Sequence, residues 1–120
     1  MAQHNELGKR GEELAQKHLR EKGYRIMATN WRFGHEEIDI IAQEGNELVI
    51  VEVKTRSETT FGDPETAIGK QKIRSLVRCA EAFIEARNWN GDTRFDVIAI
   101  VFSGNSTQLN HITNAYYPTM

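Results

Sequence analysis

Cysteine is almost missing from this sequence, which has Cys79 alone among 120 residues. A single thiol cannot form an internal disulfide, and it cannot support a cysteine-based zinc site. The four histidines do not have the paired spacing of a zinc site either. The composition therefore favours a protein of a reducing compartment that needs no structural staple.

Long apolar runs are also missing, since none approaches the roughly 20 residues that span a bilayer. The first residues, "MAQHNELGKRGEE", are polar and lack the apolar centre of a signal peptide. We therefore expect a cytoplasmic protein without a membrane partner. At this length residues 1–120 fit one domain with a hydrophobic core of its own.

An excess of positive charge is the third missing feature, because the formal net charge is -2. This argues against a general polyanion binder, whose affinity comes from surplus lysine and arginine. It does not exclude nucleic acid. Acidic residues around a bound cation lower the total charge while basic surface remains elsewhere.

The apolar pattern predicts an α/β fold in which helices cover a mixed β-sheet. The predicted elements are a helix over 6–22, strands over 24–33, 35–43 and 48–56, a long helix from Asp63 and Pro64 to about Asn88, and a strand over 94–102. This α-β-β-β-α-β order ends with a polar segment, 108–117, that is typical of an edge strand. The strand over 94–102 is apolar on both faces, which predicts that it runs parallel to the strand over 48–56.

The stretch "LVIVEVKTR" looks like a buried strand except for Glu52 and Lys54, which share one face. A two-residue turn at Gly45 and Asn46 fixes the register of a hairpin with the preceding strand. The predicted pairs are Glu44 with Glu47, Ile41 with Ile50, Ile40 with Val51, Asp39 with Glu52, Ile38 with Val53, and Glu37 with Lys54. This register collects Ile38, Ile40, Val51 and Val53 on one face.

The same register places the carboxylates of Asp39 and Glu52 opposite each other, where like charges repel. A bound Mg²⁺ or Mn²⁺ would offset this repulsion, since such ions take one or two carboxylates and keep several waters. Lys54 would then steady an attacking water or the charge that develops on a phosphate. The alternative is a solvated face whose charges pair weakly. Glu12, beside Gly11 on the first helix, is either a third acidic residue of this site or a surface glutamate.

The segments "GKRGEELA", "EEIDIIA", "VEVKTRS", "FGDPETA" and "RFDVIAI", in this order, resemble the YraN family of small bacterial proteins. That family belongs to the restriction-endonuclease-like, PD-(D/E)xK superfamily and is related to Holliday junction resolvases. The resemblance implies metal ligands at Asp39 and Glu52 and a catalytic Lys54. It also implies that Glu12 is the helix-borne acidic residue and that the Val53 carbonyl is a further metal ligand.

One position departs from the family pattern: Glu36 stands where a glycine is usual, before Glu37. The reaction that the resemblance implies is hydrolysis of a phosphodiester bond to a 5′-phosphate and a 3′-hydroxyl. DNA with a branch or a flap is the expected substrate, and related resolvases are commonly homodimers. The competing hypothesis is a module for DNA repair, recombination or uptake that binds nucleic acid without catalysis. A third is a structural domain with a solvated charged face.

A basic stripe on the long helix could lie beside a phosphate backbone. Its members are Lys70, Arg74 and Arg78, with Lys72 just off the stripe and Arg56 nearby in sequence. A solvated helix face is the more common explanation of such a stripe. Three aromatic residues, Trp31, Phe33 and Trp89, could stack on exposed bases, although packing at the edge of the core is the more common role.

Overall fold

The computed structural model describes residues 6–57 and 68–116, in which two helices flank a five-stranded mixed sheet. The elements are α1 (Glu6–Glu21), β1 (Arg25–Phe33), β2 (Glu36–Glu44), β3 (Glu47–Ser57), α2 (Lys70–Arg87), β4 (Asp92–Ser103) and β5 (Ser106–Ile112). The predicted α/β class is confirmed, and the polar last segment adds an edge strand. Within the described ranges no helix is long and apolar enough to cross a membrane.

The strands lie in the order β1-β2-β3-β4-β5, and only the β3–β4 pair is parallel. This pair confirms the predicted crossover, because α2 carries the chain from the end of β3 back to the start of β4. A central parallel pair must be covered on both faces. The α1-side core covers one face with Ala15 and Leu19, and the α2-side core covers the other with Leu76, Ala80 and Phe83.

The start of α2 differs from the prediction. Asp63 and Pro64 lie outside the described residues, but Ile68 and Gly69 are not helical, so no continuous helix runs from Pro64. Gly69 occupies the N-cap position in an extended conformation without a side-chain cap, and glycine is a poor helix former. The predicted end is confirmed, because Asn88 closes α2 in the left-handed conformation.

The helix α1 comes close to the sheet at Gly11. A Cβ atom at this position would lie 2.1 Å from the Oγ1 atom of Thr55 in β3. Only a glycine allows the helix to pack this closely against the strand. This contact fixes the neighbouring Glu12 at the margin between α1 and the sheet.

The alternation of side chains along β2 is broken in its first half. Ile38 lies in the α2-side core, whereas Ile40 lies in the α1-side core. The prediction that they share a face is therefore wrong. The β1–β2 ladder skips Asn30 and Asp39, and Asn30 has a φ of 48°. A left-handed residue interrupts the regular strand geometry at this point. Side chains before and after the interruption therefore do not follow one continuous alternation between the two faces of the sheet.

A buried ion pair ties β4 to its neighbours. The guanidinium of Arg94 donates two hydrogen bonds to the fully buried Asp96, at 2.9 Å each. Arg94 also reaches Glu44, Glu47 and Tyr24. These bonds join the β2–β3 turn and the α1–β1 connection to β4, so the pair is fully partnered although it is buried.

Asp96 also connects β4 to β5 and α1. Its Oδ2 atom lies 2.8 Å from Nε2 of His111, and its Oδ1 atom accepts a hydrogen bond from the backbone N–H of Asn114. The other ring nitrogen of His111 lies 3.0 Å from Nε2 of His18. His18, which the helical pattern places near the core, is therefore the outer member of a polar chain that fastens the edge strand.

Candidate active site

The predicted hairpin register holds only at the turn end of β2 and β3. The ladder runs from Glu44 and Glu47 to Ile40 and Val51 and stops there. Beyond it, the backbone N–H of Val53 donates to Oδ2 of Asp39 at 2.8 Å. The predicted backbone pairs Asp39–Glu52, Ile38–Val53 and Glu37–Lys54 are therefore wrong, because the Asp39 side chain takes the place of a backbone acceptor.

Glu52, on β3, lies beside Asp39 of β2, and its side chain is only 14% exposed. Its Oε2 atom lies 3.7 Å from Nζ of Lys72 in the first turn of α2. Its Oε1 atom is buried and has no hydrogen-bond partner among residues 6–57 and 68–116. A buried carboxylate oxygen without a partner is costly, so this atom marks a position where a further group would stabilise the protein.

The two carboxyl groups perturb each other. Burial raises the pKa of Asp39, and the charges of Glu52 and Glu12 raise it further. The hydrogen bond from the Val53 N–H and the charge of Lys72 lower this pKa, but by less. Burial also raises the pKa of Glu52, although the charges of Lys72 and Lys54 favour its ionised form. The carboxyl groups thus meet as the sequence predicted, even though their backbones do not pair.

Asn30 links the carboxylates of α1 and β2, and sequence reasoning missed it. Its Nδ2 atom donates to Oε1 of Glu12 at 3.2 Å and to Oε2 of Glu37 at 2.9 Å. Arg32 holds the other oxygen of Glu37 at 3.3 Å. The charge of Glu12 raises the pKa of Asp39, but the hydrogen bond of Glu12 is with the Asn30 amide. An asparagine inside a predicted strand was the available signal, because strands disfavour this residue.

The basic residues predicted to contact nucleic acid lie in different surroundings. Lys72 is at the carboxylate pair, whereas Lys70 and Arg74 are exposed on α2. Arg78 donates from Nε to Oε2 of Glu36 at 3.0 Å. Glu36, the residue that replaces the usual glycine, thus begins β2 and ties it to α2. Lys54 and Arg56 are half-buried on β3.

The donor set at Asp39 and Glu52 fits a small, oxygen-liking cation. Between residues 6 and 57 and between 68 and 116, no three acidic, histidine or cysteine side chains form a metal-binding group. A carboxylate pair is sufficient for Mg²⁺ or Mn²⁺, which keep waters as their other ligands. The unpartnered Oε1 of Glu52 and the repulsion between the two carboxyl groups are what such an ion would relieve. The structure places the Val53 N–H at the pair, and a role for its carbonyl stays a prediction.

Comparison with known sequences assigns the family. The family described as "Uncharacterised protein family UPF0102" matches residues 11–100. A UPF0102 protein of Bacteroides thetaiotaomicron is 48% identical over 120 residues, which cover 100% of this chain and 99% of the relative. Relatives from Flavobacterium johnsoniae and Phocaeicola vulgatus are 44% and 43% identical, over 98% of this chain and 98% of each relative. The protein therefore belongs to the UPF0102 family.

Proposed function

We propose that the protein is a metal-dependent nuclease that hydrolyses phosphodiester bonds of DNA, with the restriction-endonuclease-like fold that its YraN-like motifs imply. The observation that carries the proposal is the buried Asp39–Glu52 pair, with an unpartnered carboxylate oxygen next to a lysine. Carboxyl groups on a solvated face keep ordinary pKa values, whereas burial raises the pKa values of Asp39 and Glu52. Buried like-charged groups of this kind are common at functional sites.

Asp39 and Glu52 would hold Mg²⁺ or Mn²⁺, and Glu12 would add negative charge at the margin of the site. When bound there, such an ion would lower the pKa of a coordinated water and stabilise the negative charge that develops on a phosphate. Lys54 would orient the attacking water and stabilise the same charge by its ammonium group. The Val53 N–H holds the Asp39 carboxylate in the gap between β2 and β3, so the ligand is positioned before an ion arrives.

A second candidate is a nucleic-acid-binding module without catalysis. The contact between Lys72 and Glu52 favours it, because an ammonium group already lies where it offsets part of the carboxylate charge. In that case the basic residues of α2 would bind phosphates and no ion would be needed. A cytoplasmic location and a homodimer, in which two copies cut two strands, belong to the first proposal.

Cleavage of labelled linear, flapped and four-way-junction DNAs in Mg²⁺ or Mn²⁺ separates the two candidates. The nuclease proposal predicts product with the wild type and none with Asp39→Asn. Asp92→Asn is a matched control, because Asp92 is exposed at the start of β4. DNA binding without cleavage by any of the three proteins would favour the binding module instead. Equal cleavage by wild type and Asp39→Asn would contradict the assigned site.

A further inference from the structure

A groove of about 510 Å³ lies between β1 and the second half of α2. It is lined by Trp31, Phe33, Arg78, Glu81, Ala82, Glu85 and Ala86. Phe33 is 52% exposed, and in the described part of the chain it is the one large hydrophobic side chain that is exposed. Trp31 differs, because its ring packs edge-on against Phe83 in the α2-side core. The groove therefore has a fixed aromatic wall and a free aromatic rim.

This groove lies close to the carboxylate pair. Phe33 pairs with Glu36 next to the two-residue turn that joins β1 to β2, and Glu36 holds Arg78 at the groove. Asp39 follows Glu36 by three residues along β2, which corresponds to about 10 Å at the rise of an extended strand. A nucleotide strand bound at Asp39 and Glu52 can thus place a neighbouring base at Phe33.

The lining of the groove matches a nucleobase better than a phosphate. Phe33 offers an aromatic face for stacking, and the two alanines of α2 add apolar walls. The carboxylates of Glu81 and Glu85 repel phosphates but accept hydrogen bonds from the amino groups of bases. Arg78, with its side chain 53% exposed, is the cation at this groove that can face a phosphate.

We infer that this groove binds an unpaired nucleobase of the nucleic-acid strand whose phosphodiester bond lies at Asp39 and Glu52. The inference rests on the proposed function and deepens it, because it names the substrate class. A base in a blunt duplex is stacked and paired, so it cannot enter without being extruded, whereas a base in a flap or a single strand is free. The preferred substrate therefore carries unpaired bases beside the bond that is cut.

Tryptophan fluorescence can report on the groove directly, because Trp31 lines it. In a Trp89→Phe background, a short single-stranded DNA is titrated against a blunt duplex, with Ca²⁺ in place of Mg²⁺. We expect the single strand to change Trp31 emission and to bind more tightly than the duplex. Phe33→Leu, which keeps apolar bulk but loses the aromatic face, should weaken single-strand binding about 10-fold or more. Phe33→Tyr should restore it.

The inference would be overturned if wild type and Phe33→Leu bound the single strand with equal affinity. It would also be overturned if Phe33→Leu lost the same factor of affinity for the single strand and for the duplex. A docking site for an apolar protein segment would tolerate leucine and would show the first of these results. The proposed function fails separately, when Asp39→Asn cleaves as well as the wild type. If Asp39→Asn abolishes cleavage while Phe33→Leu leaves binding unchanged, the nuclease stands and only the base-binding groove is rejected.

Discussion

The backbone N–H of Val53 donates to the carboxylate of Asp39 at 2.8 Å, at the point where the ladder between β2 and β3 ends. A side chain thus replaces a backbone acceptor and opens a gap between two strands. Glu52, which precedes Val53, brings the second carboxyl group to this gap. The interruption of a regular sheet is therefore what creates the candidate site.

Lys54→Ala should remove turnover and leave cation binding. The ammonium is expected to act on the charge that develops during hydrolysis, and the loss of one such stabilising group costs on the order of 100-fold or more in rate. Cleavage rates and Mn²⁺ titration of the same preparation measure both properties. Lys17→Ala is the control, because Lys17 is an exposed residue of α1 that pairs with Glu21. A Lys54→Ala protein with full activity would show that the assigned role is wrong.

The cation-free protein should become less stable as the pH rises above the ordinary range of a carboxyl group. The pKa of Asp39 is raised in the folded state, so folding favours the protonated form and this stability is lost when the group ionises. Asp39→Asn cannot ionise and should flatten this dependence, with a gain on the order of 1 kcal/mol at neutral pH. Urea unfolding at a series of pH values, without divalent cations, measures the slope. If Asp39→Asn lost stability with pH as steeply as the wild type, the pKa of Asp39 would not be raised in the folded protein.

Gly11→Ala should destabilise the protein by about 1–3 kcal/mol, because the added methyl group overlaps Thr55 and pushes α1 away from β3. Thermal unfolding measures the loss. Combination with Thr55→Ala, which removes the two nearest atoms, should recover part of it. If Gly11→Ala alone were as stable as the wild type, the helix would not depend on this close contact for its position.

Phosphate contacts along α2 should appear in the salt dependence of DNA binding. Each of Lys70→Gln and Arg74→Gln should weaken binding and lower the slope of log K against log salt by about 0.9 if the cation contacts a phosphate of duplex DNA. Arg20→Gln on α1 is the control, since Arg20 contacts Gln16 on its own helix. If neither α2 variant changed the salt dependence, Lys70 and Arg74 would belong to a solvated helix face that does not contact phosphates.

The sequence predicts those features that follow from local periodicity and turn chemistry. The turn at Gly45 and Asn46 fixes the register as far as Ile40 and Val51, and the apolar β4 predicts its parallel place beside β3. Each of these depends on residues that are close in sequence or on one repeated pattern.

The remaining features depend on contacts between distant segments. A prediction from alternating side chains assumes a strand without interruptions. It therefore cannot show that Asn30 adopts a left-handed conformation or that Ile38 lies on the opposite face from Ile40. The contacts of Lys72 with Glu52 and of Arg94 with Glu44 depend on side-chain directions in the folded sheet. No periodic signal in the sequence encodes these directions.

The central claim is that Asp39 and Glu52 together hold a divalent cation, and calorimetric titration of the protein with Mn²⁺ tests it most directly. The account predicts one site in the wild type, retained in Asp92→Asn, and a large loss of affinity in both Asp39→Asn and Glu52→Gln. Equal binding by wild type and the two carboxylate variants, or no binding by the wild type, would contradict it.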